Sequence, residues 1–239
     1  MVKTMAKTFK FARDPYDEGD NLYKKATFVF EPGVTVLVGC NGAGKTTLLH
    51  QIKDQLKKEG VPVLSFDNLK EGGGHAVSSA GLYGDFNFVA TAATSSEGEN
   101  IVMNIGKLAS NLRGFMENGE VKGNSDALAR AFAKAMWEND KEDGKEVPNE
   151  RWLLLDAIDS GFSIDNIVDL KEFLFKTILD DQAGKRDVYI ICSANEYELC
   201  NGEKCFDVQN AKYIEFKNYD DYRKFVLKSR KTKDKRFDK

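Results

Sequence analysis

The sequence contains 239 residues, of which 41% are hydrophobic and 31% are charged, a composition typical of soluble globular proteins that excludes wholesale disorder. The formal net charge of −3 at pH 7 is too balanced to indicate a nucleic acid or a membrane as the partner. No apolar run approaches the ~20 residues that span a bilayer, and the N-terminus has no apolar stretch of the kind found in signal peptides, so we expect a cytoplasmic protein.

The first third of the chain alternates predicted strands with one clear helix. In chain order, the pattern predicts strands at 27–30 and 34–38, a helix at 46–58, a strand at 61–66, a glycine-rich loop at 67–79 and one or two strands at 82–90. The helix carries apolar residues on one face and ends at Gly60. That face consists of Leu48, Leu49, Ile52 and Leu56.

The remainder of the chain begins with helical periodicity and then returns to alternation. The predicted elements are helices at 101–119 and 125–138, a polar loop at 138–150, strands at 151–156, 188–192 and 212–216, and helices at 164–179 and 219–229. Strands that alternate with helices favour a parallel sheet. The sequence therefore predicts a single α/β domain over residues 1–239, with a mainly parallel sheet and a helical lobe at about 95–140.

The end of the chain is basic, with seven Lys or Arg against two Asp from Lys228 to Lys239. Contact with phosphates is one interpretation, but we favour a solvated, frayed C-terminus for residues 228–239. The four cysteines of a cytosolic chain are expected to be reduced thiols rather than disulfides. They are Cys40, Cys192, Cys200 and Cys205.

A phosphate-binding loop follows the strand predicted at 34–38, because the residues after it satisfy G-x-x-x-x-G-K-S/T and open the next helix. Glycines let the backbone curl so that its N–H groups converge on phosphate oxygens at the positive end of the helix. Lys45 is predicted to reach the β- and γ-phosphates, and the Thr46 hydroxyl to ligate Mg²⁺. The nucleotide-binding residues are Gly39, Cys40, Asn41, Gly42, Ala43, Gly44, Lys45, Thr46 and Thr47.

Five segments resemble the ATP-binding-cassette (ABC) superfamily of P-loop ATPases. The loop contains N-G-x-G-K-T-T, and Ser95–Glu99 is similar to the family's signature motif, with Ser96, Gly98 and Glu99 in matching places. The apolar run that ends at Asp156 resembles a Walker B strand, and the run after it, Ser160–Ser163, resembles a D-loop. Asn195 follows a later strand where the family carries its switch residue.

The resemblance implies an ABC-ATPase-like core, with an antiparallel β part beside the mainly parallel sheet. It also implies an ATP-dependent homodimer that encloses two Mg-ATP molecules, with Asp156 and Thr46 holding the metal. In each site, Lys45 of one copy would face Ser96 and Gly98 of the other, with Glu99 beside them. The γ-phosphate would add charge-assisted hydrogen bonds across the interface, and hydrolysis would release them.

The chain departs from the family pattern where hydrolysis is concerned. The residue after the Walker B Asp is normally Glu, which polarises the attacking water, and here it is Ala157. Asp159 lies nearby in sequence and is the candidate replacement, although its side chain is shorter and its position differs, while Asn195 retains the capacity to hydrogen-bond a γ-phosphate. The predicted catalytic residues are therefore Lys45, Asp156, Asp159 and Asn195.

Two further family positions have competing candidates. Asp67 or Asn68 occupies the place of the family's Q-loop glutamine after the strand at 61–66. Tyr16, Phe11 and Tyr23 compete for the role of the aromatic residue that stacks on adenine.

The leading interpretation is a soluble ABC-type ATPase that dimerises on ATP and drives a conformational clamp, with nucleic acid or a partner protein as its target. The sequence is more similar to soluble bacterial and phage ATP-binding proteins than to transport ATPases, and other soluble relatives are ATPases of the SMC and DNA-repair type. The span from Gly98 to Trp152 is too short for the long coiled coils of the latter. The alternatives are an ATP sensor with little turnover, the nucleotide-binding subunit of a transporter, and a small-molecule kinase.

Overall fold

A computed structural model describes residues 6–11, 23–68, 112, 115–117, 119 and 148–235. Within these ranges, no helix is both long and apolar enough to cross a membrane. Most of the predicted helical lobe, the strands predicted at 82–90 and the signature-like segment fall outside them.

The eight strands of the described residues form two sheets. The larger sheet has six strands in the order β4-β5-β6-β3-β7-β8, all parallel to their neighbours except β8, and β1 pairs with β2 in a separate antiparallel sheet. The strands are β1 Lys7–Lys10, β2 Thr27–Phe30, β3 Gly33–Val38, β4 Val63–Asp67, β5 Glu150–Asp156, β6 Asp187–Ser193, β7 Lys204–Asp207 and β8 Lys212–Ile214.

Four helices accompany the strands in the described part of the chain. Helix α2 contains a π-helical middle section, Leu170–Phe175, between two α-helical ends. The helices are α1 Lys45–Lys58, α2 Ile164–Asp169 continuing through Lys176–Gln182, α3 Tyr197–Cys200 and α4 Tyr219–Asp234.

The large sheet buries both faces, because the side chains of a strand alternate between them. On one face, Leu153 and Ile190 pack with residues of α2 and α4. On the other, Leu154 and Ile191 pack with α1 and with the aromatic side chains of the small sheet. The sheet is therefore the middle layer, and the carboxyl ends of its parallel strands lie along one edge.

The predicted fold class is confirmed: the chain is α/β, with a mainly parallel sheet and an antiparallel part. Most elements predicted within the described residues are present with ends displaced by at most three residues, whereas α4 extends five residues beyond its predicted end. Three short elements were missed, namely β1, α3 and β7. The prediction of a frayed tail from residue 228 is wrong as far as Asp234, because α4 remains helical to that residue and Ser229 is buried within the fold. Most other residues of this segment are exposed, as predicted, and residues 236–239 lie outside the described residues.

All four cysteines are buried, unpaired thiols. Cys192 lies on β6 inside the core, and burial raises the pKa of its thiol well above the ordinary value. Neutral thiols of this kind pack as small apolar side chains.

Candidate nucleotide-binding site

The glycine-rich loop lies between β3 and α1, at the carboxyl edge of the large sheet. Gly39, Gly42 and Gly44 have φ angles of 155°, 77° and 97°, in the region that residues with a side chain rarely adopt. A Cβ at Gly39 would lie 2.8 Å from the Cβ of Ala43. The loop therefore requires glycine at this position for space as well as for backbone conformation.

Helix α1 presents its amino terminus to the loop. Its first turn contains no acidic side chain, and its N-cap, Gly44, makes no side-chain capping hydrogen bond. The first N–H groups of a helix lack partners inside it, and the helix dipole favours an anion at this end. Asn41, Gly42 and Thr46 are exposed here. The segment is thus suited to bind a phosphate through its backbone.

Lys45 places an ammonium group inside the loop. The residue is only 9% exposed, and Nζ donates a hydrogen bond of 2.9 Å to the Gly39 carbonyl. Burial lowers the pKa of Lys45, and the negative charges of Asp159 and Asp156 offset part of this shift. A desolvated ammonium gains from an incoming anion, so this side chain fits the predicted phosphate contact.

Asp156 ends β5 and is held by a side chain from β6. Its Oδ1 accepts a 2.6 Å hydrogen bond from the Ser193 hydroxyl, which in turn accepts the Ala157 N–H at 2.7 Å. Asp67 ends β4 directly opposite Asp156 in the parallel register. Carboxylate and hydroxyl oxygens are ligands that Mg²⁺ prefers. The two carboxylates, and Thr46 at the same edge of the sheet, therefore have the donor chemistry for a magnesium ion.

Ala157 has a left-handed backbone with a φ angle of 49°, which only it and Ala211 adopt among the described non-glycine residues. Its N–H is donated to Ser193, and its carbonyl accepts a 3.2 Å hydrogen bond from Nδ2 of Asn68. The same Nδ2 also donates to the Ser160 carbonyl at 2.9 Å. The backbone after β5 is thus fixed from two sides, and Asn68 reaches this loop from β4.

Asp159 joins the loop after β5 to the loop after β6. Its Oδ2 accepts the N–H groups of Asn195 and Glu196 at 2.6 and 2.7 Å, while Oδ1 is buried and has no hydrogen-bond partner among the described residues. The residue is 1% exposed. Burial raises the pKa of Asp159, and the backbone hydrogen bonds oppose the rise. Oδ2 of Asp159 therefore anchors the loop after β6 to the loop after β5, and Oδ1 remains available to accept a hydrogen bond.

Asn195 is held through its backbone while its side chain is exposed. Its N–H is donated to Asp159, and its carbonyl accepts a 2.9 Å hydrogen bond from the Tyr222 hydroxyl of α4. The side-chain amide is thus available at the carboxyl end of β6, where a switch residue was predicted.

The remaining predicted residues divide into two groups. Ser96, Gly98, Glu99 and Tyr16 lie outside the described residues. The other two aromatic candidates pack in the core: Phe11 contacts the rings of Phe9 and Phe28, and Tyr23 contacts Phe28 and donates its hydroxyl to the Gly44 carbonyl at 2.9 Å. Tyr23 therefore supports the phosphate loop from beneath, a role that was not predicted.

The sequence also gave no indication of the contacts that α4 makes with the site. The Ser229 hydroxyl accepts the Cys40 N–H at 3.0 Å, and Tyr222 binds the loop after β6. Ser229 lies in a basic stretch of the sequence that matches no motif. Only the packing of α4 against the loop identifies Ser229 as a residue of the site.

No family model and no curated protein matches the chain. Among solved structures, it is similar to an ATP-binding cassette of an ABC transporter in its ADP conformation, with 14% identity over 95% of this chain and 98% of that chain and a TM-score of 0.44. It is also similar to a bacterial Atm1-family ABC exporter with ATP bound, with 14% identity and a TM-score of 0.43. That match covers 90% of this chain and 39% of the exporter chain.

Proposed function

We propose that the chain is an ABC-type protein that binds ATP with Mg²⁺ at the carboxyl edge of its parallel sheet. The observation that carries this proposal is the phosphate loop itself. Its three left-handed glycines curl the backbone before α1, and the buried ammonium of Lys45 lies inside it. A binding site for a polyphosphate is formed by the phosphate loop together with the amino terminus of α1 and the ammonium group of Lys45.

Each part of the loop has a role in this proposal. Backbone N–H groups of the loop after Cys40, up to Thr47, surround the phosphates, and Lys45 binds the β- and γ-phosphate oxygens. Thr46 and Asp156 hold the magnesium ion, which neutralises phosphate charge when bound. The Ser193 hydroxyl fixes Asp156 in orientation, because it donates to Oδ1 while its own position is set by the Ala157 N–H.

We propose further that two copies enclose two Mg-ATP molecules, with Ser96, Gly98 and Glu99 of one copy against the γ-phosphate held by the other. Asn195 supplies the γ-phosphate contact within the copy, because its amide is exposed at the end of β6. Closure and opening of this dimer gate a clamp on nucleic acid or on a partner protein.

The proposed rate of hydrolysis is low. Ala157 offers no proton acceptor at the usual catalytic position, and Oδ2 of Asp159 is committed to two backbone N–H groups. Oδ1 of Asp159 is the remaining carboxylate oxygen, and the raised pKa of this group favours proton acceptance. An ATP-gated sensor is the second candidate function, and the commitment of Asp159 as an anchor is the observation that favours it.

Titration calorimetry with Mg-ATP, together with phosphate release at saturating Mg-ATP, tests both candidates. The Lys45→Ala variant serves as the blank for each. ATP binding with release above the blank supports the ATPase, and binding with release equal to the blank supports the sensor. Absence of binding by the unmodified chain contradicts the proposal as a whole.

The Ala157→Glu variant adds a separate comparison. If the missing carboxylate alone limits turnover, this variant releases phosphate faster than the unmodified chain while binding ATP with similar affinity. Unchanged release in a variant that binds ATP means that the left-handed backbone at this position does not direct a carboxylate toward the reacting phosphate.

A further inference from the structure

Helix α4 contacts the phosphate loop with side chains one turn apart. The hydroxyl of Ser229 accepts the N–H of Cys40 at 3.0 Å. Four residues later, the Cδ of Lys233 lies 3.4 Å from the position that a Cβ on Gly42 would occupy. Residues four apart share one face of a helix. The inner face of α4 therefore runs along the first half of the loop.

The same helix is anchored at its other end. Tyr222, near the start of α4, donates its hydroxyl to the carbonyl of Asn195 at 2.9 Å. Asn218 caps the helix by accepting the N–H of Asp221 at 3.0 Å. The contacts of Tyr222 with Asn195 and of Ser229 with Cys40 join α4 to both loops and place Ser229 beside the phosphate loop.

The Ser229 hydroxyl is buried and oriented. The residue is 4% exposed, and its Oγ donates a 2.9 Å hydrogen bond to Oε1 of Gln209, which is 2% exposed. A serine hydroxyl has a single hydrogen and two acceptor lone pairs. Because Gln209 takes the hydrogen, the lone pairs face the Cys40 N–H, and the bond between helix and loop has a defined direction.

Gln209 is in turn fixed to the sheet. Its backbone N–H is donated to Oδ1 of Asp207 at 3.0 Å, and Asp207 lies opposite Val38 in the register of β7 and β3. Val38 is the last residue before the loop. A chain of hydrogen bonds thus starts at the sheet, passes through Gln209 and Ser229, and ends on the loop backbone at Cys40.

We propose that Ser229 is a positioning residue for nucleotide binding, which holds the phosphate loop in its binding conformation through the Cys40 N–H. This inference rests on the proposed binding of ATP to that loop. Without the hydroxyl, a buried N–H has no acceptor, and the loop favours conformations in which this N–H finds one. Apparent affinity falls in proportion to the fraction of molecules that keep the binding conformation.

The test is the Kd of Mg-ATP by titration calorimetry for the unmodified chain and for the Ser229→Ala variant. An unsatisfied buried donor shifts the loop equilibrium enough to raise the Kd about tenfold. The matched control is Thr232→Val on the same helix, whose hydroxyl donates to the Lys228 carbonyl within α4. The control keeps the Kd within about twofold, because solvent-side changes of this kind have small effects.

A purely structural role for Ser229 gives a different result. In that case Ser229→Ala lowers the urea midpoint, yet the folded protein binds Mg-ATP with unchanged Kd, and the inference is overturned.

If Ser229→Ala does not fold, Ser229→Cys replaces it, because the thiol is a similar size and a weaker acceptor. A Kd for Ser229→Cys that is higher than that of the unmodified chain supports the inference, and an unchanged Kd overturns it. Failure of the unmodified chain to bind Mg-ATP overturns the proposed function and this inference together, whereas normal binding with no effect at Ser229 overturns only the latter.

Discussion

Among single residues, Lys45 has the greatest consequence, because the loop keeps its ammonium desolvated with one neutral acceptor. Replacing it by methionine retains the aliphatic stem and removes the charge. We expect Lys45→Met to raise the Kd for Mg-ATP by at least about tenfold, since hydrogen bonds to charged groups contribute about 1.5–3 kcal/mol.

The same variant separates binding from folding. Because burial lowers the pKa of Lys45, the charged form is disfavoured in the folded protein, and its removal leaves the unfolding free energy within about 1 kcal/mol of the unmodified chain. Urea unfolding without nucleotide measures this quantity. Lys57→Met, on the exposed side of α1, is the control for both measurements. A large loss of stability with unchanged nucleotide affinity would contradict the assigned role.

Asp159 predicts a pH dependence of stability. Burial raises the pKa of Asp159 in the folded protein above its value in the unfolded chain. At a pH between these two pKa values, the carboxyl is protonated in the folded state and ionised in the unfolded state. The stabilisation is present below the unfolded pKa and is lost as the pH rises through the folded pKa. Relative to Asp159→Asn, the unmodified chain therefore gains unfolding free energy as the pH falls from about 7 to about 4.

Urea unfolding at several pH values tests this difference. Asp54→Asn on the exposed side of α1 is the matched control, and its curve is expected to run parallel to that of the unmodified chain. Parallel curves for Asp159→Asn as well would show that Asp159 is not the desolvated group that its burial indicates.

For single elements, the hydrophobic pattern identified all the long elements of the described residues but missed three short ones, β1, α3 and β7. Helix α1 buries one face and therefore has a helical period of apolar residues, whereas strands β3, β5 and β6 are buried on both faces and are near-continuous apolar runs. The missed strand β7 has four residues, too few for a period, and it exists because it pairs in parallel with β3. Such strands are stabilised by their neighbours, which a linear sequence does not reveal.

The candidate site was predictable to a similar extent. A motif identifies Lys45 and Asp156 because phosphate binding needs those residue types at fixed spacing. No motif identifies Ser193 or Ser229, since a hydrogen bond across the fold requires only one polar atom in the right place. Asn68 was one of two candidates for the Q-loop position, but its hydrogen bonds to the loop after β5 were not predicted. These contacts became visible only when the sheet brought separate loops to one edge.

Helix α4 offers a prediction of its own. Burial raises the pKa of the Tyr222 hydroxyl, which stays protonated and donates to the Asn195 carbonyl. Tyr222→Phe removes this donor and leaves the ring, so we expect the unfolding free energy to fall by about 0.5–1.5 kcal/mol. Tyr219→Phe, on a residue that is 56% exposed, is the control and is expected to change it by less than about 0.5 kcal/mol. Equal effects in urea unfolding would mean that the buried hydrogen bond does not stabilise the fold.

For the whole molecule, the parallel sheet explains why residues far apart in sequence meet. Strands β3, β4, β5 and β6 run in the same direction, so the phosphate loop, Asp67, Asp156 and Asn195 follow their carboxyl ends at one edge. Ligands of open α/β sheets bind at that edge. The site is therefore a property of the topology, and each strand contributes one part of it.

The proposed dimer requires that each ATP contact Lys45 of one copy and Ser96 of the other. Lys45→Ala and Ser96→Arg each damage both sites of a homodimer, so neither variant dimerises in Mg-ATP. An equimolar mixture forms heterodimers with one intact site, because one copy contributes Lys45 and the other contributes Ser96 to it. Sedimentation velocity is expected to show a dimer in the mixture, smaller in amount than for the unmodified chain, since single-site closure has half of the γ-phosphate contacts.

A double variant that carries both changes in one copy is the control for this mixing experiment. Paired with Lys45→Ala or with Ser96→Arg it leaves no intact site in any dimer, so those mixtures stay monomeric. A monomeric mixture of the two single variants, beside an unmodified chain that dimerises, contradicts the shared sites, and an unmodified chain that binds Mg-ATP as a monomer contradicts the dimer. A dimer that forms only when the two substitutions lie on different copies indicates that each ATP site is shared between the copies. If each copy held a complete site of its own, mixing two defective chains would not produce an intact site.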